Sequence, residues 1–366
     1  MNDTLTRAAE YCLQKTRENC SEFETCFPSS QSRNYFYEKT GCTDWTESFW
    51  TGILWLSYEM TGEELFRETA EKQLPIFAER MAKRINVETH DLGFLYSLSC
   101  VAAYKLTGNE AAKKTALAAA DCLLERFHEK GGFLQAWGSL NEPGNYRLII
   151  DCLMNIPLLY WAHETTGNPE YREKAESHLH ATLKTIVRED ASTFHTFFFN
   201  PETGEPDHGE TNQGFSDDSC WARGQAWAVY GLALSYRYTK APEILPLWKR
   251  VTQYFVEHLP ADSVPYWDLC FMDGDEPRDT SSAAIAVCGI LEMNRLAPGA
   301  GFEAEGDQML ESLAKNYTTR NMASNGLLKD GMYGRPRGDQ SECNIWGDYF
   351  FMEALVRKQK DWHPYW

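Results

Sequence analysis

The stretch Arg147-Leu148-Ile149-Ile150-Asp151-Cys152-Leu153-Met154-Asn155-Ile156-Pro157-Leu158-Leu159-Tyr160-Trp161 carries a single acid inside an apolar run. It continues as Ala162-His163-Glu164-Thr165-Thr166-Gly167, where a glycine stops an apolar helix. Asn168-Pro169-Glu170 then opens a polar, amphipathic one. Together they spell a helical hairpin. Two copies of the same arrangement lie upstream. Asp44-Trp45-Thr46-Glu47-Ser48-Phe49-Trp50 enters an apolar helix that Thr61-Gly62 stops before Glu63-Glu64-Leu65-Phe66-Arg67. Asp91-Leu92-Gly93-Phe94-Leu95-Tyr96 leads to Thr107-Gly108 and resumes at Asn109-Glu110. The Asp-to-Gly offsets are 18 (44 to 62), 17 (91 to 108) and 16 (151 to 167), each the length of a helix of about four to five turns.

Working outward, helix pairs are predicted over about 44–85, 91–128 and 151–187. A fourth starts at Cys220-Trp221-Ala222-Arg223-Gly224-Gln225-Ala226-Trp227 and runs to about 258. A fifth starts at Arg278-Asp279-Thr280 and includes 303–317. The sixth starts at Ile345-Trp346-Gly347-Asp348 and takes the N-terminal helix, 3–20, as its partner. Six inner and six outer helices close a ring, so the fold expected is all-α, an (α/α)6 barrel, with residues 1–366 forming one domain. In the interruption at 190–219, Thr193-Phe194-His195-Thr196-Phe197-Phe198-Phe199 followed by Asn200-Pro201-Glu202-Thr203-Gly204 predicts a small β-hairpin near 192–205.

A formal charge of −18 argues against nucleic acid, which needs clustered Lys and Arg. An anionic small ligand stays possible, because a local pocket can carry the opposite sign to the whole. Asp3, Arg7, Glu10, Lys15 and Arg17 break up the first twenty residues, and no run of 18 apolar residues follows. A soluble, cytoplasmic protein without a membrane partner is the expectation. The 11 cysteines include no Cys-x-x-Cys. Cys12, Cys20, Cys26 and Cys42 are spaced 8, 6 and 16 apart, unlike common zinc sites. His178 and His180 fall on different faces of one helix. No metal ligand set and no cofactor is therefore expected. The 12 Trp, 18 Tyr and 19 Phe mostly fill a helical core, with a few left to stack on sugar rings.

In a ring of this kind the inner-helix starts open into one funnel, and Asp44, Asp91, Asp151, Arg223, Asp279 and Asp348 stand at or near them. An Asp at such a position is ordinarily a cap worth about 1 kcal/mol, and Asp44, Asp279 and Asp348 read that way. Asp91 suits either a cap or chemistry. Asp151 differs, since no capping need places a carboxylate after Leu148-Ile149-Ile150. Such an acid either finds donors or takes up a proton, which suits a catalytic proton donor.

The same residues carry a resemblance. Asp44-Trp-Thr-Glu-Ser-Phe-Trp-Thr-Gly-Ile-Leu-Trp, His90-Asp-Leu-Gly-Phe-Leu-Tyr-Ser, Gln135-Ala-Trp-Gly, Ile149-Ile-Asp-Cys-Leu-Met-Asn-Ile-Pro-Leu-Leu, Trp221-Ala-Arg-Gly-Gln-Ala-Trp and Ile345-Trp-Gly-Asp-Tyr resemble the unsaturated glucuronyl hydrolases, family 88 of the glycoside hydrolases. The likeness runs in order from about residue 40 to 357. It implies the (α/α)6 barrel, and a substrate with a 4,5-unsaturated uronic acid, left by polysaccharide lyases at the non-reducing end of glycosaminoglycan fragments. It also implies Asp151 as general acid/base and Asp91 as its essential partner, with Trp45, His90, Trp137, His195, Gln213, Trp221, Arg223 and Trp227 lining the sugar site. One departure is Asn212, where some members carry His.

Read without the resemblance, each supporting residue has a duller role: packing for Trp45, Trp221 and Trp227, an ion pair with a neighbouring Asp for Arg223, and a satisfied core histidine for His195. Trp137, on a loop bounded by glycines, suits stacking better than core. Three other functions remain open. They are a pectin-directed unsaturated rhamnogalacturonyl hydrolase, a sugar 2-epimerase, which wants histidines where aspartates stand here, and a non-catalytic carbohydrate-binding barrel. The basic loop Gly334-Arg335-Pro336-Arg337-Gly338-Asp339-Gln340-Ser341 is a candidate sulfate contact on the second sugar.

Overall fold

The computed structural model describes residues 2–366. The inner ring comprises α2 (Glu47–Thr61), α4 (Leu92–Tyr96) with α5 (Ala102–Thr107), α7 (Cys152–Asn155) with α8 (Pro157–Thr166), α10 (Ala222–Thr239), α12 (Thr280–Leu296) and α14 (Ile345–Gln359). A π-helical segment, Ser97–Val101, joins α4 to α5. The outer helices are α1 (Asp3–Asn19), α3 (Glu64–Ala82), α6 (Glu110–Leu124), α9 (Pro169–Thr185), α11 (Ile244–Glu257) and α13 (Glu303–Ser312). Neighbouring inner helices pack on one another around the ring, and α14 returns to α2. The N-terminal helix α1 packs on α14 and α2 and so completes the sixth pair. The expected (α/α)6 barrel is the fold. Gly62 and Gly167 end inner helices with φ of +72° and +75°, a left-handed conformation that favours glycine and turns the chain outward.

Two local expectations are corrected. The single inner helix expected from Asp151 to Gly167 is broken, since Cys152–Asn155 is one helical turn and Pro157 restarts the helix, and the run ahead of it, Arg147–Ile149, is a strand. A short apolar run satisfies a buried strand as well as a buried helix, so periodicity could not separate them. The hairpin near 192–205 is built from Thr196–Phe199 and Pro206–Glu210, and Arg147–Ile149 joins it as a third antiparallel strand with Ile149 opposite Thr196.

The capping readings also divide. Asp279 caps α12 by accepting from Ser281 N at 3.1 Å. Asp44 lies ahead of α2, whose N-cap position is Thr46. Asp348 is buried in the first turn of α14 and accepts from Leu327 N, Leu328 N and the Tyr37 hydroxyl. Tertiary donors claim both of its oxygens before its own helix can. No helix of the described residues is long and apolar enough to cross a membrane.

Candidate active site

Backbone pairing builds the mouth of the barrel. Thr89 bridges Trp137 in antiparallel fashion, and His90 N donates to Ala136 O at 2.6 Å. The loop bearing Trp137 is thereby fixed beside His90. Asp91 and Asp151 occupy matching places, the N-cap positions of α4 and α7, yet neither side chain caps its helix. Asn155 locks the two starts together by accepting from Phe94 N at 2.8 Å. Gly93 is required at this crossing. A Cβ there would sit 2.3 Å from the Asn155 backbone, well inside van der Waals contact. A third tie runs from Ile150 N to His195 O at 3.1 Å, which holds the strand before Asp151 against the histidine.

Three ionisable groups converge as a result. His90 Nε2 lies 3.2 Å from Asp151 Oδ1 and 3.5 Å from Asp91 Oδ1. The Thr89 hydroxyl donates to the other Asp91 oxygen at 2.7 Å. Burial pushes the Asp91 carboxyl up to about 6, with the His90 charge opposing it and Asp151 adding to it. At His90 burial works against the imidazolium, but the carboxylates of Asp151 and Asp91 outweigh it and raise the pKa. Asp151, 19% exposed, faces the cavity and not the hydrocarbon that its sequence neighbours suggest.

The cavity around these groups has a volume of about 160 Å³. Every site residue expected from the sequence lines it: Asp151, Asp91, His90, Trp45, Trp137, His195, Gln213, Trp221, Arg223 and Trp227. Their surroundings separate them. Trp137 is 37% exposed, with the Arg147 guanidinium 3.7 Å above its ring. Trp227 is buried against Phe94 and Phe350. His195 Nδ1 pairs with the Thr196 hydroxyl at 2.6 Å and Nε2 with Gln213 Oε1 at 3.1 Å, and burial depresses its pKa to about 4. It is therefore a satisfied buried histidine that also walls the cavity.

Arg223 follows its duller reading at the same time. Nη1 donates to Asp279 Oδ2 at 3.1 Å and Met332 O at 2.5 Å, and Nη2 to Tyr333 O at 2.7 Å. Its guanidinium anchors the 332–333 segment between the Trp221 and Trp346 rings.

Residues 21–360 match the family description Glycosyl Hydrolase Family 88. The chain belongs to glycosyl hydrolase family 88. The unsaturated chondroitin disaccharide hydrolase of Streptococcus pyogenes serotype M1 is 45% identical over 372 residues, covering 100% of this chain and 93% of that protein. The crystal structure of the unsaturated glucuronyl hydrolase from Streptococcus agalactiae superposes with a TM-score of 0.97 at 45% identity, covering 99% of this chain and 94% of that one. An aspartate-to-asparagine variant of that enzyme, solved in complex with dGlcA-GalNAc6S, has a TM-score of 0.88 at 42% identity over 99% of this chain and 93% of that one.

In this family 88 glycosidase the sequence reading missed Ile149 and Tyr333 as cavity walls and left the contact at Asn212 open, while Arg337, from the basic loop read as a sulfate contact, also lines the cavity. Tyr333 joins several of the others: its hydroxyl accepts from Trp45 Nε1 at 3.0 Å, and its carbonyl accepts from Gln213 Nε2 at 2.7 Å as well as from Arg223. It arrives on an irregular loop far along the chain from its partners, where neither periodicity nor a turn motif marks it. Arg337 donates to Asn212 Oδ1 at 3.1 Å. Arg335 turns away towards Glu276, at 3.9 Å, and does not line the cavity.

Proposed function

We propose that this glycoside hydrolase, working as a single catalytic domain over residues 1–366, removes 4,5-unsaturated glucuronic acid from the non-reducing end of glycosaminoglycan fragments. Unsaturated chondroitin disaccharides are its preferred substrates. The observation that carries the reading is the His90–Asp91–Asp151 cluster inside an aromatic cavity at the mouth of a family 88 barrel. The chondroitin disaccharide hydrolase of S. pyogenes and the dGlcA-GalNAc6S complex of the S. agalactiae enzyme support the substrate.

The sugar is a vinyl ether. Asp151 delivers a proton to C4, and positive charge develops at C5 and the ring oxygen. The ionised Asp91, which shares His90 with Asp151, stabilises that charge. Water then adds at C5, giving a proton back to the Asp151 carboxylate. The resulting hemiketal opens the ring, and the aglycone leaves as an alcohol. Attack is not at the anomeric carbon, so the carboxyl separation that distinguishes inverting from retaining glycosidases carries no meaning here. His90 holds both carboxylates in register, and Trp137 offers the ring face opposite Arg147 for stacking.

Arg337 is the cation we assign to a sulfate on the second sugar. It lines the cavity, and its one side-chain hydrogen bond goes to a neutral amide. The reaction belongs in the cytoplasm, a placement that the eleven unpaired cysteines support.

A panel of unsaturated disaccharides, followed by loss of the ultraviolet absorbance of the C4=C5 bond, tests the proposal. Turnover of chondroitin-type substrates above pectin-derived ones is expected, with a preference for sulfated over unsulfated forms that Arg337→Ala reduces. Binding without turnover, or faster turnover of pectin-derived disaccharides, would overturn it.

A further inference from the structure

We infer that His90, Asp91 and Asp151 also form a binding site for a borderline transition-metal dication of the Zn²⁺ and Co²⁺ class, and that its occupation inhibits the enzyme. One ligand atom from each residue lies within 4.8 Å of the other two. The two contacts of His90 Nε2, at 3.2 and 3.5 Å, bracket the about 3.3–3.4 Å edge of a tetrahedron whose metal–ligand bonds are about 2.0–2.1 Å long.

A second observation points to a ligand. Asp91 Oδ1 and Asp151 Oδ1, the oxygens aimed at His90, are buried and have no polar partner beyond that shared imidazole. The Thr89 hydroxyl occupies only the outer Asp91 oxygen. Buried acceptors are ordinarily matched, and a cation bridging the two matches both at once. One imidazole with two carboxylates suits zinc or cobalt better than calcium or magnesium, which favour all-oxygen shells.

Three protein ligands leave the cavity side of the metal open to water. The set is also pre-organised. Asn155 ties α7 to α4, and the missing side chain at Gly93 lets the two helix starts sit in close contact. A metal held there ties up both carboxylates of the proposed reaction, so metal and substrate exclude each other. The chain contains a rival site on its surface: His208 lies 3.0 Å from Asp207 and 3.1 Å from Glu210, all exposed.

Co²⁺ titrated into the full chain, read by its visible d–d absorption, tests the inference. One bound equivalent is expected, displaced by Zn²⁺. Binding should weaken at least tenfold in His90→Gln, Asp91→Asn and Asp151→Asn and be unchanged in His208→Ala. In the wild type alone, Zn²⁺ should inhibit hydrolysis competitively with substrate, and a chelator should restore it.

Absence of d–d bands, wild-type binding in all three site variants, loss of binding in His208→Ala, or inhibition that leaves KM unchanged would each overturn the inference. The absorption readout needs no substrate. It therefore stands or falls apart from the proposed glycosidase reading, which the double-bond absorbance of the disaccharide panel decides.

Discussion

Two buried carboxylate clusters in this barrel face opposite fates. At the mouth, Asp91 and Asp151 share one imidazole, and an oxygen of each accepts no hydrogen bond. Towards the C-terminal ends of α12 and α14, Glu292 and Glu353 meet Arg357 at 2.7 and 2.9 Å. Arg295 lies 2.8 Å from Glu292, while the Tyr230 hydroxyl and Trp366 Nε1 complete the shell of Glu353. Burial pushes the carboxyls of Asp91 and Glu292 up. At Asp91 it prevails and the value rises to about 6, whereas at Glu292 Arg357 and Arg295 overcome it and hold the value at about 2.

The lower cluster is saturated and specifies packing. The upper is left short of partners, the condition in which a proton can be handed on. Substitutions should therefore separate the two ends cleanly.

The largest effect is expected at the mouth. Asp151→Asn should lower kcat by at least about 10² to 10⁴, the range of general acid/base help, without lowering the melting temperature, because it removes an incompletely matched buried oxygen. Steady-state rates and thermal unfolding on the same preparation check both halves. Asp151→Asn that is inactive because it melts early would erase the contrast.

Next comes the reverse case. Glu292→Gln leaves Arg357 with fewer anionic partners and should destabilise the fold by about 3–5 kcal/mol. The kcat of the folded fraction should stay near wild type. Denaturant unfolding monitored with activity at low denaturant checks it, and a large fall in kcat of the folded enzyme would show that the two clusters are coupled.

The two ends should also answer pH in opposite directions. The folded value of Asp91 lies above its ordinary 3.8. The stability it contributes is fully present below about 3.8 and is lost as pH rises through about 6. The folded value of Glu292 lies below its ordinary 4.5, so its contribution is present above 4.5 and is lost as pH falls through about 2. Melting curves of Asp91→Asn should accordingly gain on wild type between about pH 4 and 6. The deficit of Glu292→Gln should shrink between about pH 4.5 and 2. Parallel curves would break the comparison.

The division between the clusters also marks what was legible in the chain. Hairpins announced themselves through Gly62, Gly108 and Gly167, because a left-handed stop needs glycine and its spacing equals a helix length. The expected cavity residues all reached the cavity, since each lies at or beside the start of an inner helix or on a loop pinned to one. What the sequence concealed depends on distant chain meeting distant chain. Tyr333 reaches Trp45 from 288 positions away, and Asp348 is claimed by Tyr37 and the backbone at Leu327 and Leu328. The strand at Arg147–Ile149 was hidden for the same reason: only its partner at Thr196–Phe199 distinguishes it from a helix. The Glu292–Arg357 cluster gave no signal either, because Glu and Arg late in apolar helices read equally well as solvated ends.

The smallest effect sharpens the contrast within the upper cluster itself. Thr89 supplies the one hydroxyl that Asp91 receives, at 2.7 Å, and accepts in turn from Asp91 N at 3.1 Å. A donor to the ionised carboxylate favours that form and opposes burial. Thr89→Val removes the donor while keeping the volume, so the Asp91 value should rise further. The proposed reaction needs Asp91 ionised. The acid limb of kcat/KM should then move up by about one pH unit, equivalent to about 1.4 kcal/mol and close to the worth of a hydrogen bond to a charged group. The plateau at higher pH should stay within about twofold, since a shift smaller than about 0.4 kcal/mol is all that twofold represents. Thr89→Ser should restore the limb. A uniform loss at every pH would instead mean that Thr89 serves the Trp137 bridge and not the charge on Asp91.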